Sequence, residues 1–162
     1  MEEQTGTYIT ILNDTLEKKE KVIRSLLEQT HEQTKLLEAE TLDYDLFNET
    51  IRIKDELLAQ LKVLDEGFLD LYAKVGRLLK EQPAEFPEQI GRAQALVRTQ
   101  TDLTAELTAA EERNKSRLAL HLSSGRQKVK DFKVSSRTAA AYYKNMSGKH
   151  QDGDSYFFNR KK

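Results

Sequence analysis

The sequence predicts an all-α protein: an elongated antiparallel helical hairpin or three-helix bundle, with a long third helix and a flexible C-terminal tail. Three observations predict it. Apolar residues recur at steps of three and four over long stretches. No run alternates β-branched and aromatic residues at period two. Both prolines, Pro83 and Pro87, fall in one short segment, so the chain on either side is free of helix breakers of that kind.

The first helix follows positions 9, 12, 16, 19, 23, 26, 30, 33 and 37, of which Ile9, Leu12, Leu16, Ile23, Leu26 and Leu37 are apolar. Leu27 and Leu36 widen the stripe, and Lys19, Thr30 and Gln33 interrupt it, so the seam turns polar in its second half. The second helix carries the stronger seam, Phe47, Ile51, Lys54, Leu58, Leu61, Asp65, Phe68, Tyr72, Val75 and Leu79. Leu57, Leu64, Leu71 and Leu78 recur beside it and make the wide face of a bundle helix rather than a narrow two-stranded seam. Lys54 and Asp65 read as snorkelling or edge positions on that face. Between the two helices, Thr41-Leu42-Asp43-Tyr44-Asp45 offers N-cap side chains without Gly or Pro. An unbroken helix from residue 8 to 80 would exceed about 100 Å with nothing to cover its stripe, so the chain folds back here. Residues 1–82 are therefore the hairpin and 83–87 the proline-containing linker.

The third helix is read over 88–146. Its first part is weakly apolar (Ile90, Ala93, Val97, Leu103, Leu107), and its second part recovers a seam through Leu118, Leu122, Gly125, Val129, Phe132, Ser136, Ala139, Tyr143 and Met146. A hairpin of about 55 Å cannot cover a helix of about 90 Å, so the third helix either breaks near residues 123–125 or projects from the bundle. Either way a basic amphipathic segment is left with an apolar face and no partner in its own chain. Residues 147–162 read as a disordered tail.

Charge sharpens this division. Residues 1–112 carry 13 Lys+Arg against 24 Asp+Glu, a net −11, whereas residues 113–162 carry 13 Lys+Arg against three acids, a net +10. An acidic body joined to a basic third suits an acidic partner, or a basic third that lies against its own body. The absence of cysteine excludes a disulfide-stapled scaffold, thiolate metal sites and thiol nucleophiles. The apolar runs are too short for membrane insertion, and Met1-Glu2-Glu3-Gln4 is acidic where a signal peptide is basic, so a soluble cytoplasmic protein is expected.

No enzyme chemistry is legible. His31, His121 and His150 lie in three separate segments without metal-ligand spacing and read as solvent-exposed, and neither a phosphate-binding nor a dinucleotide-binding glycine motif occurs. No catalytic residue, metal or cofactor is expected. Asn13-Asp14-Thr15 and Asn48-Glu49-Thr50 match a glycosylation acceptor, but both fall in helices. The aromatic residues are more informative, since Tyr142, Tyr143, Tyr156, Phe157 and Phe158 all lie in the last 21 residues. Tyr156-Phe157-Phe158, beside Arg160, Lys161 and Lys162, has the form of a tail motif that docks into a partner groove.

Several segments resemble the FlgN family of flagellar export chaperones in its Gram-positive form. They are Ile51-Arg52-Ile53-Lys54-Asp55-Glu56-Leu57-Leu58 with Leu61, Leu64-Asp65-Glu66-Gly67-Phe68 and Leu71-Tyr72; Glu112-Arg113-Asn114 with Leu118; and Ala141-Tyr142-Tyr143-Lys144 with Ser155-Tyr156-Phe157-Phe158. The resemblance implies a cytosolic helical chaperone that holds the amphipathic terminal helices of hook-associated proteins and delivers them to the export gate. Leu118, Leu122, Val129, Phe132, Ala139 and Met146 would form its cargo-facing stripe, steered by the surrounding Lys and Arg. The resemblance also implies a C-terminal tyrosine that docks to the export gate, for which Tyr142 and Tyr143 are the candidates. The rival expectations are a coiled-coil oligomerisation or adaptor protein using the same stripes on itself, and a nucleic-acid-binding helical protein using the +10 segment on phosphates. Mixing of the basic residues with an apolar seam, on a strongly acidic body, argues against nucleic acid. Self-association without cargo stays open.

Overall fold

A computed structural model of the chain describes residues 2–81 and 86–124. They form three α-helices of nearly equal length: α1 (Glu2–Glu38), α2 (Tyr44–Glu81) and α3 (Pro87–Ser124). The all-α expectation holds, and no strand is present among the described residues. At ~1.5 Å per residue each helix is about 55 Å long, so the three can pair along their whole length.

The contacts fix the directions. Going up α1, Asn13, Leu16, Thr30 and Leu37 meet Gln89, Gln100, Glu111 and His121 in rising order, so α3 runs parallel to α1. Lys19 meets Asp65 and Gln33 meets Lys54 in falling order, so α2 runs antiparallel to both. α1 packs closely against α2 and α3 along its length. It is the central helix.

The reversal between α1 and α2 is built locally. Asp43 is the N-cap of α2: its carboxylate Oδ1 accepts the Leu46 amide at 3.1 Å and its carbonyl accepts the Phe47 amide at 3.0 Å. Leu42, just outside the helix, is buried with Phe47 one turn inside, a hydrophobic staple that sets the entry angle of the chain. Pro87, placed by the sequence in the linker, is instead the first residue of α3, where its missing N–H and fixed φ cost nothing. Phe86 before it has φ 60°, a left-handed conformation that costs a non-glycine residue roughly 1–2 kcal/mol. Burial of its ring against the core near Ile9 and Ala93 offsets that cost. Gly6 lies beside the ring, and a Cβ there would make ordinary van der Waals contact with it at 3.4 Å.

The core is divided into three apolar clusters along the axis. The first gathers Ile9, Leu12, Leu16, Phe68, Tyr72, Val75, Ala93 and Val97. The second, in the middle, gathers Val22, Ile23, Leu26, Leu61, Leu103 and Leu107. The third closes the end at the α1–α2 turn with Leu37, Leu42, Phe47, Ile51 and Leu118. Each fully buried Leu or Ile contributes about 1.5–3 kcal/mol.

The third helix is read from the sequence over 88–146, with the option of a break near residues 123–125. α3 is described as far as Ser124, within that stretch. Residues 125–146 and the tail 147–162 lie outside the described residues.

Candidate functional site

The sequence-derived stripe begins where α3 meets the turn end of the hairpin. Leu118 is buried there, packed with Leu37, Leu42, Phe47 and Ile51, so it is a core residue of its own bundle and not part of an open face. The correction has a simple cause. At ~1.5 Å per residue a hairpin of about 55 Å covers α3 to about residue 124, which takes in Leu118, and His121 still meets the Leu37 carbonyl, with Nε2 2.8 Å from the oxygen. Leu122 is half-buried against the same cluster. Val129, Phe132, Ala139 and Met146, the tyrosines Tyr142 and Tyr143, and Tyr156-Phe157-Phe158 all lie outside the described residues.

Leu120 was not singled out by the sequence, since it falls off the seam, yet it is the most exposed large apolar side chain named in the described region, at 71%. It borders an open depression of about 370 Å³ with Leu37, Glu38, Glu40, Arg117, His121 and Ser124. Arg117 spans it to Glu38, with Nη1 3.2 Å from the carboxylate. The surrounding surface is acidic, because Glu38, Glu40, Asp43, Asp45 and Glu49 follow one another through the turn. Farther along α2, Arg52 bonds both Glu49 and Glu56, and its hydrogen bond to Glu49 holds that exposed carboxyl below the usual range.

One turn below the third cluster lies a buried polar layer that joins all three helices. Lys54 of α2 donates to Gln33 Oε1 of α1 at 2.9 Å and to the Glu111 carboxylate of α3. The single Thr30 hydroxyl proton lies between two acceptors, Glu111 Oε1 at 2.9 Å and the Leu26 carbonyl at 2.8 Å. Asn114 Nδ2 donates to the Thr30 carbonyl at 3.0 Å, and its Oδ1 accepts from Thr34 Oγ1 at 2.8 Å. Burial pushes the Lys54 ammonium below its ordinary pKa, and the adjacent Glu111 carboxylate opposes that shift. Lys54 is therefore not a snorkelling edge residue. It is 5% exposed, and its ammonium is held inside by a counter-charge on another helix. Asp65 keeps more of its edge character. It pairs with Lys19 at 2.9 Å, and Lys19 also lies 4.1 Å from the centre of the Phe68 ring.

The other expected surface positions divide. His31 is exposed beside Glu106, whereas His121 is half-buried on the Leu37 carbonyl, a positioning bond rather than an acid–base pair. Asn13 is buried and donates to the Gln89 carbonyl at 3.1 Å, so its amide serves the α1–α3 contact. No group of three or more His, Cys, Asp and Glu among the described residues could hold a metal ion. No helix of the described residues is long and apolar enough to cross a membrane.

Fold and site together define an all-α three-helix bundle with an acidic turn end. No protein-family model, no curated protein and no solved structure matches the chain.

Proposed function

We propose that this chain is a flagellar export chaperone that binds the amphipathic terminal helices of hook-associated proteins. It would keep them from assembling early and present them to the export gate. The observation that carries the reading is a mismatch of lengths. The hairpin ends at the level of His121, while the sequence seam continues through Val129, Phe132, Ala139 and Met146, flanked by basic residues. A sequence seam that continues past the level at which the hairpin ends would suit an amphipathic helix supplied in trans. Ordering such a segment on binding takes up part of the interaction free energy, which keeps the complex releasable. The resemblance of the α2 stretch Ile51–Tyr72 to the FlgN family names the cargo. With Leu118 assigned to the core, the cargo-facing stripe starts at Leu122.

The test is co-expression of the full chain with the hook-associated proteins of its own organism, followed by size-exclusion chromatography with light scattering. The expected result is a one-to-one complex that is lost in a Val129→Asp, Phe132→Asp double variant and kept in a Val63→Asp control on the exposed face of α2. A free chain that remains a tight oligomer, or that binds nucleic acid with steep salt dependence, would sink the reading.

A further inference from the structure

α3 has the least distinctive apolar stripe of the three helices. Its buried positions are Ala93, Val97, Gln100, Leu103, Thr104, Leu107, Ala110, Glu111, Asn114 and Leu118, a mixture of small, branched and polar side chains. A one-turn slide of α3 along α1 and α2 would bring Glu111 into the apolar site of Leu107, or Thr99 and Asn114 into those of Leu103 and Leu118, so the apolar clusters already oppose it.

The polar layer opposes it as well. A slide of four residues would set Leu107 or Lys115 where Glu111 stands, leaving the Lys54 ammonium buried either without a counter-charge or beside a second cation. The same slide would put Ala110 or Leu118 in place of Asn114, so both of its bonds to α1 would be lost and the Thr30 carbonyl and Thr34 hydroxyl would keep only their contact with each other at 3.0 Å. Two sets of bonds, made by different residues to different helices, fail together in either direction. We propose that the Thr30, Gln33, Thr34, Lys54, Glu111 and Asn114 layer is a register lock that fixes the axial position of α3 in the bundle. Its members are specifying residues more than stabilising ones, because a buried ion pair is weak evidence of stability while an unmatched one is strongly penalised.

The chain contains no cysteine, so introduced pairs report register directly. Glu38→Cys with Arg117→Cys reads the native position, where these side chains already meet. Glu38→Cys with Arg113→Cys, or with His121→Cys, reads a one-turn slide in either direction. Each rate of disulfide closure is measured in the full chain and again with Lys54→Met and Glu111→Leu added, with helicity followed by circular dichroism. The lock predicts that removing the layer raises one slid pair relative to the native pair by about tenfold or more, with helicity retained. An unchanged ratio in a helical protein would show that the 82–86 connection and apolar packing suffice, and would overturn the proposal. Should the double variant lose its helices, Glu111→Gln, which keeps the shape and removes the charge, gives the same reading. A severalfold shift toward a slid pair supports the lock, and no shift overturns it.

Discussion

Leu26 and Thr30 stand one turn apart on the same face of α1, and both are completely buried. Around Leu26 the bundle is apolar, with Val22, Ile23, Leu61, Leu103 and Leu107. Around Thr30 it is polar, with Gln33, Lys54, Glu111 and Asn114. Equal burial thus serves opposite chemistry in adjacent layers. The apolar layer contributes stability that depends on volume and tolerates exchange of one hydrocarbon for another. The polar layer contributes little net stability, but each member is costly to remove alone, because its partner stays behind without water. Energy comes from one layer and position from the next.

The sharpest way to break this comparison is Glu111→Leu. It takes the Glu111 counter-charge from the buried Lys54 ammonium, and should destabilise the protein by about 3–5 kcal/mol in urea unfolding. Adding Lys54→Met should recover all of that loss and can exceed the parent by about 1–4 kcal/mol. A double variant as unstable as the single one would show that the layer contributes stability in its own right.

The pH dependence at Lys54 follows from the same site. Its folded-state pKa lies below the ordinary 10.5 because burial disfavours the charged form. Between the folded value and 10.5 the unfolded chain binds more protons than the native one, so this group makes stability rise with pH across that window. Below the folded value its unfavourable contribution is present in full, and above 10.5 it is gone. Subtracting the pH profile of Lys54→Met from that of the parent isolates the effect. A flat difference between neutral pH and 10.5 would contradict it.

In the neighbouring apolar layer, Leu26→Ala should cost about 2–5 kcal/mol through lost burial and the cavity left behind. Its urea m-value should stay unchanged, since the two-state transition still exposes the same surface. No second substitution of opposite polarity should rescue it, in contrast to the ion pair.

How much of this was legible in the sequence depended on how local each signal was. The helical pattern, the fold-back and a cap somewhere in Thr41–Asp45 were readable because periodicity and capping act within a turn or two, and the structure puts the cap at Asp43. The layer was not. Lys54 looked like an edge residue of an apolar face because its counter-charge, Glu111, lies 57 positions away in a helix whose own pattern is weak. Thr30 and Gln33 were visible as a polar interruption of the α1 seam, and Glu111-x-x-Asn114 repeats that interruption in α3. Aligning the interruptions in all three helices is the signal that could have found the layer. Leu118 was misplaced for a different reason: helix lengths alone carry the hairpin's cover to about residue 124, so the open stripe was started one to two turns too early.

Capping tests a smaller and more local part of the fold. Asp43→Ala removes the acceptor for the Leu46 amide and should cost about 1 kcal/mol, while Asp43→Asn or Asp43→Ser should retain most of it. The loss should appear first as faster amide exchange in the first turn of α2, beside the third cluster, before the global transition moves.

The smallest effect is expected where the charges look most convincing. Arg52 bonds Glu49 and Glu56 on the solvent face of α2, and the Glu49 carboxyl is held below its usual range by that contact. A depressed carboxyl contributes stability above its unfolded pKa of 4.5 and loses it as pH falls through the folded value. Here both partners are open to water, and solvent screening together with the side-chain entropy of a long arginine cancels most of the gain. Arg52→Ala should therefore leave the unfolding midpoint within experimental error at neutral pH and at moderate salt. The contrast with Lys54 is the point of the measurement, because Lys54 and Arg52 both stand on α2 and both pair with glutamate, Lys54 buried and across to α3, Arg52 exposed and within its own helix. A loss at Arg52 comparable to that of Glu111→Leu would mean that pairing itself, rather than the desolvation of an unpaired charge, governs these sites.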